Sequence, residues 1–411
     1  MRKSIGLFFL VVSLVCHGQE DTDTLILSLQ DVFALATDYH PVIRQANLQN
    51  EFADAELLHA KGQFDPKIQS QYRTKNYKDT EYYSKFYNSL KIPVWFPVDP
   101  KVEVYENKGS YLNPENYVSG SDDYWQVTAG ISLPLGKGLF IDERRNLVKQ
   151  AALFSDLAEA EKIKLVNKTL LNISKAYWEW YLAYNKYTLT SRSLQLAENI
   201  FERVGLDYRY GELAAIDTVQ AQITLLSRQA DFEKSALELT QARLLLSTHL
   251  WSADNIPLEL APSTVPDNSS QLVIPADSSF QKVITWAAVN HPEIQKLLTK
   301  QKQLDIQQQW NKESLKPELN LNYSLINAPF NVSGFETPQW QENYKLGMDF
   351  SMPVFLRKER GKIQKTRIYL EQTEFTIIQT RQEIMAELQS TYAALKTNQK
   401  LATQYDQMAN G

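Results

Sequence analysis

The sequence predicts a mainly α-helical protein with a small antiparallel β part, built from long antiparallel helical hairpins and short pleated segments in two structural repeats. Three observations predict this class. Long stretches contain neither proline nor glycine, four short stretches alternate polar with apolar residues, and the order of these segments occurs twice.

The repetition is read from paired motifs. Phe33-Ala34-Leu35-Ala36 leads into His40-Pro41-Val42-Ile43, and Thr285-Trp286-Ala287-Ala288 leads into His291-Pro292-Glu293-Ile294, 251 residues later. Pro66 and Pro317 keep that offset, and each opens an alternating stretch. Ile131-Ser132-Leu133-Pro134 then matches Phe350-Ser351-Met352-Pro353, while Arg145 matches Arg360 and Tyr177 matches Tyr392. These pairs divide the chain into a leader over 1–18, a first repeat over 19–252, a Pro-rich connector over 253–277 and a second repeat over 278–411. The second repeat lacks about 55 residues that the first has, so the expectation is a fragment of a longer chain, with natural shortening as the alternative.

Residues 141–204 hold no proline or glycine, which predicts one helix of about 64 residues, or ~95 Å at ~1.5 Å per residue. Ile163, Val166, Leu170, Ile173, Tyr177, Trp180, Tyr184 and Tyr187 recur at alternating spacings of three and four, a heptad seam. Leu171, Trp178, Tyr181 and Leu182 lie off that seam, so the helix needs neighbours on more than one side. Gly205 and Gly211 bracket a predicted break, after which a helix over 213–250 returns antiparallel. That helix and one over 41–61 together nearly equal the long one, so the two short helices are expected to stack end to end beside it.

Alternation predicts strands at 67–72, 125–131, 318–324 and 344–350. Aromatic residues crowd 64–125, as suits strands ending at a membrane interface; a soluble sheet with an aromatic core is the other reading. Residues 80–120 either add one or two strands, at 90–97 and 102–107, or form an external loop. Four strands cannot close a barrel, for which ~8 is the practical minimum, so lipid-embedded strands require several copies.

The N-terminus reads as a secretory signal: Arg2 and Lys3 precede an apolar run from Ile5 to Val15, and Gly18 precedes a cleavage point that leaves Gln19. Cys16 is the one cysteine; lipidation there is the alternative reading, against which Val15 is bulky. No other apolar run reaches the ~18 residues of a membrane helix, so a membrane location implies strands. A net charge of -5 without a basic run argues against a nucleic-acid partner.

The two His-Pro breaks, the Ser-Leu-Pro and Ser-Met-Pro strand ends, the run Leu135-Gly136-Lys137-Gly138-Leu139-Phe140-Ile141-Asp142, and the turn Arg209-Tyr210-Gly211-Glu212 followed by Asp217 and Ala221-Gln222 resemble the TolC-like outer-membrane efflux family. The resemblance covers residues 28–411. It implies a homotrimer in the outer membrane, each subunit giving four strands to a twelve-stranded barrel that helices continue as a hollow cylinder across the periplasm. It also implies two partners, a periplasmic adaptor (membrane fusion) protein and an inner-membrane pump, and passive conduction of small molecules or proteins with no cofactor and no enzymatic step. The missing end of the second repeat puts channel closure and adaptor docking by this chain in question.

Arg209, Asp217, Gly211, Glu212 and Asp207 are the candidate periplasmic gate or adaptor-docking residues, since charges at a constriction hold it shut or filter ions. Against this stands ordinary solvation of an exposed turn, with Asp217 favoured by the helix dipole and Gly211 by backbone geometry. His40 and His291 mark helix breaks; with no acidic or cysteine partner at ligand spacing they are not read as metal ligands. Gly136-Lys137-Gly138 lacks the spacing of a phosphate loop and is expected to ease the passage from strand to helix. The competing class is a periplasmic coiled-coil adaptor or scaffold, which shares the hairpins but needs no lipid-facing strands.

Overall fold

The computed structural model describes residues 25–109, 111–113, 124–268, 275–326 and 343–410. The leader, Cys16 and the middle of the Pro-rich connector lie outside the described residues. The elements are β1 (Ile26–Leu27), α1 (Leu29–Tyr39), α2 (Pro41–Lys61), β2 (Lys67–Tyr77), β3 (Thr80–Lys91), β4 (Asp99–Lys108), β5 (Tyr124–Pro134) and α3 (Glu143–Ala152). There follow α4 (Phe154–Arg209), α5 (Ala215–Ser247), β6 (Val265–Pro266), α6 (Asp277–Asn290), α7 (Pro292–Glu313), β7 (Glu318–Ile326), β8 (Tyr344–Ser351) and α8 (Arg357–Asn410). They form two compact units, Met1–Arg44 with Lys168–Leu272, and Gln45–Asn167 with Val273–Gly411.

In the first unit α4 and α5 form the expected antiparallel hairpin. Tyr187 meets Phe232 ring to ring at 5.4 Å, the Thr190 and Ser235 hydroxyls lie 2.6 Å apart, and Lys186 pairs with Glu238 at 2.5 Å. The seam holds in its middle: Ile173, Tyr177 and Trp180 are fully buried, whereas Ile163 at its start is exposed. Leu171, Trp178 and Leu182 of the second apolar set are exposed in the single chain. The parallel pair β1–β6 ties the segment before α1 to the connector, Ile26 opposite Val265.

Both His-Pro steps are helix junctions with the same construction. The backbone N–H of His40 closes α1 on Ala36 O at 2.9 Å, and its ring Nδ1 accepts the Val42 N–H at 3.2 Å. His291 repeats this with Ala287 O at 3.1 Å and the Glu293 N–H at 3.3 Å. The proline at the first helical position has no N–H to satisfy and a pre-set φ, so the imidazole caps the next donor.

The second unit contains one six-stranded antiparallel sheet in the order β2-β3-β4-β5-β7-β8. All four expected strands lie in it, but β2 does not touch β5, because β3 and β4 stand between them. Residues 80–108 are therefore two strands, and the first starts ten residues before the expected 90. The missed signal is the hairpin loop Lys78-Asp79, with φ of 49° and 59°. Such two-residue turns are usually Asn-Gly or Asp-Gly, and neither is present. The six strands also differ from the four per subunit that the family resemblance implies.

The helix expected over 141–204 is broken at Leu153 and then runs on to Arg209, past Gly205. No breaker residue stands at Leu153; tertiary contacts made by α3 accompany the break. Asn146 and Gln150 donate to Gln307 of α7 at 3.3 and 2.8 Å. Farther along, α4 pairs with α7 again through Lys296–Glu161 at 2.7 Å and through Lys164–Glu293. The return helix is slightly shorter than expected, Ala215–Ser247. Among the described residues, no helix is long and apolar enough to cross a membrane.

Candidate functional site

Strand alternation sorts the sheet into two faces. One carries Ile68, Phe86, Leu90, Val102, Val104, Val127, Ile131, Leu321, Leu346, Met348 and Phe350, which the registers place on one side. On this face Ile68 is 82% exposed and Met348 68%, values that an apolar side chain in water does not favour. The other face carries Gln71, Arg73, Lys85, Tyr87, Lys101, Glu103, Tyr105, Gln126, Thr128, Asn322 and Asp349. These residues line a concavity of about 940 Å³.

Glu103 is the centre of that polar face. Its Oε1 accepts from Tyr87 at 3.0 Å and from Lys101 at 3.2 Å. Its Oε2 accepts from Tyr105 at 2.9 Å and from Thr128 at 3.0 Å. Three strands, β3, β4 and β5, thus converge on one carboxylate, whose charge is offset by an ammonium and three hydroxyl donors. Sequence reasoning missed this web. Its signal in the sequence is the two-residue period Lys101-Glu103-Tyr105, of which the optional strand at 102–107 takes in only Glu103 and Tyr105.

The passage from β5 into α3 is built around Gly136. Leu135 N–H donates to Leu319 O at 2.7 Å and Lys137 N–H to Pro317 O at 2.8 Å. A Cβ on Gly136 would lie 2.1 Å from the Pro317 carbonyl oxygen. Gly138 takes φ +93°, and the buried guanidinium of Arg145 donates to the Gly138 and Leu139 carbonyls and pairs with Asp142 at 3.3 Å. Arg145 is therefore a clasp on this loop, whereas its repeat counterpart Arg360 is exposed.

The gate candidates lie together at the α4–α5 turn. Gly211 has φ +80° and nothing near its Cβ position, which fits a backbone role. Glu212 N–H donates to Asp207 O at 2.9 Å, and the Asp207 carboxylate faces Arg203 at 3.9 Å. The Asp217 carboxylate accepts the Ala214 N–H at 3.0 Å, capping α5. Among the described residues no ion pair links Arg209 with Asp217. Beside the turn, a groove of about 450 Å³ runs between the helices from Leu196 and Ile200 to Asp217 and Arg228.

No protein-family model and no characterised protein sequence matches the chain. Solved structures do match it. The outer-membrane channel CmeC of Campylobacter jejuni superposes with a TM-score of 0.57 at 14% identity, covering 92% of this chain and 72% of that one. The outer-membrane protein VceC of Vibrio cholerae gives 0.59 at 14%, covering 92% and 81%. The open-state outer-membrane channel MtrE of Neisseria gonorrhoeae gives 0.57 at 16%, covering 96% and 80%. The chain has the fold of TolC-like outer-membrane channels: mainly α, with an antiparallel sheet.

Proposed function

We propose that the chain is an outer-membrane channel subunit of a tripartite efflux or type I secretion system, a passive conduit without catalytic chemistry. The observation that carries this is the sheet. Ile68, Val102, Ile131, Leu346, Met348 and Phe350 of its apolar face are exposed, its opposite face is polar and concave, and its outer strands β2 and β8 each have one edge unpaired among the described residues. In lipid every backbone donor and acceptor needs a partner, and six strands fall short of the ~8 needed to close a barrel. Copies must therefore join β2 to β8, and a homotrimer with its helices in the periplasm is our reading of the assembly. The exposed apolar positions Leu182, Leu189 and Leu196, seven residues apart on α4, supply packing surface for neighbouring helices in that assembly.

In this reading the two repeats, 19–252 and 278–411, place strands in lipid and helices beneath it. The α4–α5 turn, with Asp207, Arg209, Gly211, Glu212 and Asp217, faces a periplasmic adaptor, and an inner-membrane pump supplies the energy. The test is fractionation followed by planar-bilayer recording. The protein is expected in the outer membrane, extractable only with detergent, and conducting in discrete steps. Recovery in the periplasmic fraction without detergent would instead support the adaptor or scaffold class.

A further inference from the structure

The hairpin β3–β4 has the properties of barrel wall. It is laddered on both sides: Lys67 to Tyr77 of β2 pair along β3, and Asp99 to Asn107 of β4 pair along β5. Its alternation is in phase with the rest of the sheet. Phe86, Leu90, Val102 and Val104 continue the apolar face, which Asn88 and Glu106 share, while Lys85, Tyr87, Lys101, Glu103 and Tyr105 continue the polar one. The Glu103 web fastens it to β5 through Thr128. A loop folded over the outside of a barrel would have no reason to keep either the ladders or the phase.

The strand directions add a second argument. Every pairing in the sheet is antiparallel. Removing β3 and β4 would leave β2 antiparallel to β5, so a two-strand insert enters the wall without disturbing closure. Among the described residues the sheet would hold four strands without the hairpin and holds six with it.

We infer that β3–β4 is a pore-widening insert, so that a ring of three copies has eighteen strands and admits bulkier hydrated cargo than a twelve-stranded ring. The inference rests on the ring-forming channel proposed above. Barrel diameter grows roughly linearly with strand number, so the pore is about half again as wide, in the range where barrels enclose an aqueous channel. Lys85, Tyr87, Lys101 and Glu103 are then lumen groups that passing cargo meets.

Three measurements on the full chain test this. A variant lacking residues 78–108 is compared with the full chain, with Arg209→Ala and Asp217→Ala present in both so that the α4–α5 turn does not set the current. It is expected to assemble and conduct roughly half as much per channel, as pore area follows diameter squared. Unchanged conductance of an intact ring would overturn the insert. Should that variant fail to assemble, two point variants decide. Val102→Trp is expected to be quenched by brominated lipid, read as the difference from the wild type with its native tryptophans, and Lys101→Cys to lose conductance with a membrane-impermeant thiol reagent. An unquenched tryptophan, or a Cys variant unaffected by the reagent, places the hairpin outside the wall and refutes the inference. A wild-type chain that forms no conducting ring at all would refute the channel reading instead.

Discussion

Tyr177 and Tyr392 make the same hydrogen bond in the two halves of the chain. The Tyr177 phenol donates to Leu27 O at 3.1 Å, two residues before α1 begins. The Tyr392 phenol donates to Pro275 O at 2.9 Å, two residues before α6 begins. Each long helix thereby holds the entry to its short helix. Tyr392 adds a bond to Asp277 at 2.7 Å and stacks on Phe280 at 3.8 Å. Tyr177→Phe and Tyr392→Phe should each lower stability by about 0.5–1.5 kcal/mol. Tyr177 is fully buried, so its variant should be the worse of the two, although Leu27 O keeps the Asp267 N–H as a donor at 3.2 Å. Urea midpoints in detergent measure this, and equal midpoints for wild type and Tyr177→Phe would contradict it.

Gly136 should not tolerate a side chain. The oxygen in the way is backbone, from the Pro317 that opens β7, so neither partner can rotate aside. Gly136→Ala should cost about 1–3 kcal/mol as an overpacking change. Gly205→Ala, near the C-terminal end of α4, meets nothing within 4 Å and should be neutral or stabilising. A melting comparison in which Gly136→Ala behaved like Gly205→Ala would show that the loop is not anchored on β7.

The His40 and His249 rings stack with centroids 5.7 Å apart, His249 Nδ1 lying 3.5 Å from His40 Nε2. Burial, with His249 adding, holds His40 below its ordinary value of 6.5, and burial does the same to His249. A depressed folded-state value means the folded protein refuses protons that the unfolded chain accepts. Stability is thus complete above pH 6.5 and is lost as pH falls below it. The variant His40→Asn with His249→Asn keeps a capping side chain at position 40 and should show a smaller loss between pH 7.5 and 5. His291, lowered by burial as well, accounts for a remainder. An undiminished acid loss in the variant would rule out the pair as its source.

Replacing Arg209 and Asp217 together by alanine should raise resting conductance severalfold if the turn closes the pore. Asp217 also caps α5 through the Ala214 N–H. Asp217→Asn keeps an acceptor for that N–H and removes the charge, so it separates gating from capping. Bilayer recordings with unchanged leak in both variants would remove the turn from the gate.

The sequence by itself determined the long first-repeat helix apart from its break at Leu153, the antiparallel return of α5, the His-Pro junctions, and the position of four strands. Each is local: heptad spacing, a proline at the first helical position, or two-residue alternation is written in neighbouring residues. It also brought Asp207, Arg209, Gly211, Glu212 and Asp217 together, because one short turn holds them. The tertiary structure alone decided where β3 and β4 go. Lys78-Asp79 carries no strong turn signal, and its positive φ values accompany the β2–β3 ladder. The break at Leu153, the Arg145 clasp, the Gly136 contact with Pro317 and the four donors on Glu103 were equally hidden. Gly136 meets Pro317, Asn146 and Gln150 beside the break meet Gln307, and Glu103 draws Tyr87 and Thr128 from neighbouring strands; pairings of that kind are fixed only once the sheet and helices have packed.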